Sequence, residues 1–231
     1  MADIILIPGL WLDASSWEPI VPALEEAGHR PHPLTMPGVG APASESGDIG
    51  IDDWVDAVVE RIDAVEGPVI LVGHSGGGNV AYGAADRRPD KIGRLVLVDT
   101  VPPPSGASIS AFPIVDGVVP FPGWGFFDEP DVADLDAETR QRTAARARSV
   151  PARVPTDELR LTDERRFAVP VTVLSGGQGE AELREMLAEW PSWAENFDAI
   201  ESAAVITLGT GHWPQFSHPE ALAEAILTAA R

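Results

Sequence analysis

The sequence predicts an α/β fold: a mostly parallel, six-stranded sheet flanked by helices. Three observations predict it. Short apolar runs of the kind buried on both faces alternate with stretches of helical apolar spacing, the order that builds strand–helix–strand crossovers. The five residues Gly73-His74-Ser75-Gly76-Gly77 follow directly on the run Pro68-Val69-Ile70-Leu71-Val72 and lead into a small-residue stretch, which reads as strand, tight turn and helix. A length of 231 residues with 44% hydrophobic content suits a single domain, 1–231, with a full core.

The elements follow in order. Residues 4–7, Ile4-Ile5-Leu6-Ile7, form a short buried strand closed by Pro8-Gly9. Residues 17–27 have helical apolar spacing, and Gly28 ends that helix. Residues 30–36 return as a strand whose prolines place it at an edge or make it irregular. The clearest amphipathic helix is 51–65, with Trp54, Val55, Val58, Val59 and Ile62 on one side. The strand at 69–72, the turn and a helix over 79–88 come next, then a strand at 94–98 that ends at Asp99.

From about 100 to 168 the pattern breaks. Pro102-Pro103-Pro104 opens a stretch holding Phe112, Phe121, Trp124, Phe126 and Phe127 among many prolines and glycines, followed by a polar helix over 136–149. A structureless loop of this length is unusual in a compact domain unless it is functional, so the segment reads as a cap inserted over the sheet after the Asp99 strand. The sheet resumes at 170–174 and 203–208, with a helix at 181–189 between them and a closing helix at 219–230. His218, just before Pro219, is expected to cap that last helix.

Composition narrows the function. With no cysteine, disulfides, thiol nucleophiles and thiolate metal sites are excluded, and serine becomes the candidate covalent nucleophile. A formal net charge of -20 argues against nucleic acid and anionic membranes as partners, since both select basic surfaces. No basic leader or long apolar span is evident, so a cytoplasmic protein, monomeric or a small homo-oligomer, is expected. His29 and His32 lack a third ligand at usual spacing, and neither a metal nor a cofactor is called for. Within the turn, Gly73-x-Ser75-x-Gly77 fits a nucleophile elbow that exposes a serine hydroxyl above the sheet. A Cβ two residues either side of Ser75 would strike the neighbouring strand or helix.

The succession of first strand, Pro8-Gly9 loop, elbow serine, Asp-ended strand, cap and late histidine resembles the α/β-hydrolase superfamily over essentially the whole chain. It is most similar to small single-domain bacterial hydrolases that also resemble plant methylesterases and hydroxynitrile lyases. That resemblance implies His212, in Gly209-Thr210-Gly211-His212-Trp213-Pro214, as general base. Its place after a predicted strand, in a glycine-flanked loop and last in the serine, acid, histidine order, points the same way. His74, inside the elbow, is expected to point away from Ser75.

The acid is open between two carboxylates. The superfamily often carries a Gly-x-x-Asp turn after the strand at 170–174, and this chain has Gly176-Gly177-Gln178-Gly179 there instead. Asp99 occupies an alternative position that some members use and is favoured; Glu180, one residue past the vacant slot, also suits the first turn of a helix. The resemblance places an oxyanion hole on the backbone N–H groups of Leu10 and Gly76, the latter at a helix N-terminus. Trp11, Phe121, Trp124, Phe126 and Trp213 are expected to line a mostly apolar pocket. Arg140, Arg142, Arg146 and Arg148 fall on more than one helix face and read as solvated surface.

The implied activity is hydrolysis of a small, fairly apolar carboxylic ester or lactone through an acyl-enzyme on Ser75. A lyase or acyl-transfer outcome from the same groups is one alternative, although the cap holds no lysine. A ligand-binding protein that retains the fold is the other.

Overall fold

The computed structural model describes residues 1–231. Its main sheet contains β1 (Asp3–Ile7), β2 (Arg30–Pro33), β3 (Val69–His74), β4 (Ile92–Val98), β7 (Val171–Ser175) and β8 (Ala203–Thr207) in the order β2-β1-β3-β4-β7-β8. Every neighbouring pair in it is parallel. A separate antiparallel pair, β5 (Val118–Val119) with β6 (Val150–Pro151), lies in the segment between β4 and β7.

The helices are α1 (Val21–Glu26), α2 (Ala43–Ser46), α3 (Ile51–Asp63), α4 (Gly76–Arg87), α5 (Glu129–Val132), α6 (Ala137–Arg146), α7 (Glu180–Leu187), α8 (Pro191–Asp198), α9 (Pro214–Ser217) and α10 (Pro219–Ala229). None is long and apolar enough to cross a membrane.

Strand alternation sorts the core into two layers. Ile5, Ile7, Leu71, Leu95 and Leu97 face α3, α4, α7 and α8, meeting Trp54, Val55, Val58 and Val80. Ile4, Leu6, Ile70, Val72, Val96 and Val98 face the other side, where Trp17, Leu24, Leu222 and Ile226 cover them. Burial on both faces is why the inner strands read as unbroken apolar runs rather than as alternating ones. The edge strand β2 tolerates Pro31 and Pro33 because it needs ladder hydrogen bonds on one side only.

Several boundaries differ from the sequence expectation, each for a local reason. The helix expected over 17–27 begins only at Val21, because Asp13 caps a 3₁₀ turn at Ala14–Trp17 and Pro22 fits an α-helix only in its first turn. The helix expected at 79–88 starts at Gly76, directly out of the elbow. The polar helix ends at Arg146 rather than 149, since Val150 precedes Pro151 and is drawn into the β5–β6 ladder. His218 stands at the N-cap of α10 without a side-chain cap bond; its Nδ1 lies 3.5 Å from Asp134 Oδ2 instead.

Candidate active site

The loops after β1, β3, β4 and β8 all emerge at the carboxyl edge of the sheet, where parallel α/β folds place their ligands. They carry Leu10 and Trp11, Ser75, Asp99, and His212 respectively. Four non-glycine residues have φ in the left-handed region, and three of them are Trp11 (63°), Ser75 (51°) and Asp99 (48°). Such strain persists only where the surroundings over-determine it, and here it gathers in these loops.

At the elbow, Ser75 N donates to Val98 O at 3.0 Å, extending the ladder one residue past β3. The glycines beside it permit close approach. A Cβ on Gly73 would stand 2.6 Å from Gly77 O, and one on Gly77 would strike Pro8 O and lie 2.7 Å from Ile7 O. Gly77→Ala is therefore expected to cost about 1–3 kcal/mol, the usual price of forced overpacking. Chemical denaturation checks it: an unchanged midpoint would contradict this close approach.

His212 Nδ1–H donates to Asp99 Oδ2 at 2.5 Å, and the other oxygen of Asp99 accepts from Gly176 N at 2.8 Å. Burial opposes ionisation of Asp99, but the His212 bond, the nearby imidazole charge and the Gly176 N–H hold its pKa below the ordinary value. With Nδ1 engaged, Nε2 is the ring nitrogen left to act on a substrate or a hydroxyl. Glu180 lies elsewhere: it opens α7 and pairs with Arg184 at 3.0 Å.

The backbone of His212 is held from two directions. Its N–H donates to Asp131 O at 2.8 Å, and its carbonyl accepts from His74 Nε2–H at 2.8 Å. His74 is fully buried, and its Nδ1 accepts from Gln215 Nε2 at 3.2 Å. Burial, reinforced by the neighbouring His212 ring, pushes the His74 pKa down to about 3. It is thus a neutral histidine with both nitrogens used, tying the residue before Ser75 to the loop of His212. Its neighbourhood to the elbow is visible in sequence; its partner 138 residues away is not.

Ser75 and His212 line one cavity of about 190 Å³, together with Leu10, Trp11, His74, Ile109, Ser110, Phe112, Phe127, Asp131 and Trp213. Trp11 and Trp213 are on this wall as expected from sequence. Phe121, Trp124 and Phe126 are not: Phe121 packs edge-to-face against Trp11 and Trp124, the Trp124 indole donates to Arg140 O, and Phe126 is half exposed. Phe112 and Phe127 take their place. Gly76 lies beside Leu10, since a Cβ on it would sit 3.2 Å from Leu10 Cγ, so the two backbone N–H groups named for an oxyanion hole belong to adjoining residues.

The arginines of the intervening segment stay off this wall. Arg140 donates to Val132 O and Leu135 O, and Arg146 pairs with Glu18. His32 is held between Asp3 and Arg61 at the sheet edge.

Comparison with known proteins bears on the fold and the family. A family model described as alpha/beta hydrolase family matches residues 4–225. The carbendazim hydrolyzing esterase of Nocardioides sp. is 40% identical over 113 residues, 48% of this chain and 47% of that protein. Esterase PIR7B of Oryza sativa subsp. japonica is 34% identical over 103 residues, 43% and 38% of the two chains. The chain thus matches about half or less of the length of these curated relatives.

Among solved structures, a methylesterase from Arabidopsis has a TM-score of 0.76 at 19% identity, covering 100% of this chain and 99% of that one. At such identity the likeness speaks for the fold alone. With the elbow, the sheet order and a family match across residues 4–225 in agreement, the chain belongs to the alpha/beta hydrolase family.

Proposed function

We propose that the protein is a serine hydrolase that cleaves a small, fairly apolar carboxylic ester or lactone through an acyl-enzyme on Ser75. The observation that carries this reading is the 2.5 Å Asp99–His212 pair at the edge of a cavity that Ser75 also lines. A cavity of about 190 Å³ with mostly apolar walls suits a small substrate. That a partial relative is named an esterase supports the choice of an ester bond.

In the proposed reaction Ser75 Oγ adds to the acyl carbon as His212 Nε2 takes its proton, and the Nδ1–H bond to Asp99 stabilises the imidazolium. The N–H groups of Leu10 and Gly76 receive the oxyanion. The leaving oxygen departs with the proton from His212. Water, deprotonated by the same nitrogen, then adds to the acyl carbon, freeing the acid and regenerating Ser75. The segment at 100–168 acts as a cap, supplying Ile109, Ser110, Phe112, Phe127 and Asp131 to the wall.

A fluorophosphonate probe tests the core of this. It is expected to modify folded protein at Ser75, with labelling lost in Ser75→Ala. Folded protein that stays unlabelled, or a label that maps to another residue, would rule out covalent chemistry on Ser75.

A further inference from the structure

Within the cavity shared by Ser75 and His212, four aromatic rings and one carboxylate stand together. Trp11 meets Phe112 at 4.8 Å and Phe127 at 5.8 Å between centroids, Phe127 meets Trp213 at 4.7 Å, and all three contacts are edge-to-face. The rings are therefore fixed by one another rather than free to reorient. Asp131 joins them from α5, and the bond from His212 N to its carbonyl ties its position to the His212 loop.

The Asp131 carboxylate, unlike its carbonyl, takes no hydrogen bond from the protein. Burial pushes its pKa up; the Asp99 charge adds to that push and His212 opposes it. A partly desolvated carboxyl without a partner gains most from a cation brought to it. No lysine or arginine stands on this wall to supply one.

Aromatic faces attract ammonium groups, and a formal net charge of -20 gives the molecule as a whole a field that favours cations over anions. We propose that the cavity recognises esters bearing a quaternary or tertiary ammonium group, with Asp131 as its counter-charge and Trp11, Phe112, Phe127 and Trp213 as its cage. The inference rests on the esterase reading of Ser75 and replaces its fairly apolar substrate with a small ester that carries a positive charge. It differs from a purely apolar pocket in requiring that charge, not only size, selects the substrate.

Two pairs of esters matched in shape and differing in charge test it. Acetylthiocholine is compared with 3,3-dimethylbutyl thioacetate, placing the charge on the leaving group. The p-nitrophenyl esters of 4-(trimethylammonio)butyrate and 5,5-dimethylhexanoate place it on the acyl group. In at least one pair the cationic ester is expected to have a kcat/KM about tenfold or more above its neutral partner, and Asp131→Asn is expected to cut that ratio by about fivefold or more. Equal rates, a neutral preference in both pairs, or a cationic preference unaltered in Asp131→Asn would overturn the proposal.

Calorimetry on Ser75→Ala separates this from failure of the esterase reading. There choline is expected to bind more tightly than 3,3-dimethylbutan-1-ol whether or not any ester is turned over. Equal or weaker binding of choline overturns the cage directly.

Discussion

Asp99→Asn is expected to lower kcat by about 10³ to 10⁴ with a much smaller change in KM. The argument begins with the tautomer. In the structure Asp99 Oδ2 accepts the Nδ1–H of His212, which leaves Nε2 unprotonated and able to receive a proton. An asparagine that turns its amide N–H toward Nδ1 would stabilise the opposite tautomer, protonating Nε2 where the proposed reaction needs a base. The imidazolium formed on proton transfer would also lose its counter-charge. Shape would be largely kept, since the asparagine oxygen can still accept from Gly176 N.

Glu180→Gln provides the comparison and is expected to stay within about threefold of the parent, because its carboxylate is occupied with Arg184 on the exposed face of α7. Steady-state kinetics on one ester decides between them. Similar small losses in both variants would mean that neither carboxylate orients His212.

What could be read in the sequence depended on whether a residue's role was fixed locally or by distant chain. The inner strands were legible because burial on both faces forces unbroken apolar runs such as Ile4-Ile5-Leu6-Ile7, and the family model over residues 4–225 bears out the fold. The tight turn at Ser75 was legible because it needs glycine at fixed offsets, and the contacts that a Cβ on Gly73 or Gly77 would make give the physical reason.

Between β4 and β7 that link fails. Short turns rich in proline and glycine impose no period, so nothing in the sequence distinguishes Phe112 and Phe127, on the cavity wall, from Phe121, Trp124 and Phe126, which pack away from it. Asp131 and Gln215 were missed for a different reason: each acquires its meaning from a partner far along the chain. The later start of α1 was readable in hindsight, because Pro22 marks a first turn.

The bond from His74 to the His212 carbonyl leads to the second large effect. His74→Phe keeps a ring in the buried site but removes the donor to His212 O and the acceptor for Gln215 Nε2. Leaving the buried Gln215 amide and the partly buried His212 carbonyl unpaired is expected to cost about 2–4 kcal/mol of stability. Because the freed carbonyl belongs to the proposed base, kcat should also fall, by about 10- to 100-fold, as a base shifted by a fraction of an ångström loses alignment with Ser75. Gln215→Met should act in the same direction and more weakly. The double variant should fall short of the sum, since both act through one chain of bonds.

A pH series gives a signature that a packing defect alone would not. The His74 pKa is about 3 in the folded protein against the ordinary 6.5 when unfolded, so above 6.5 neither state binds its proton and the group contributes its full stability. As pH falls from 6.5 toward 3 the unfolded chain takes up a proton that the folded one refuses, and stability declines by at most about 1.4 kcal/mol per unit. His74→Phe lacks that slope. The stability gap between parent and variant should therefore narrow from pH 7 to pH 4.5 in denaturant titrations. A constant gap would mean that His74 is not held neutral, and an unchanged kcat beside lowered stability would reduce its role to packing.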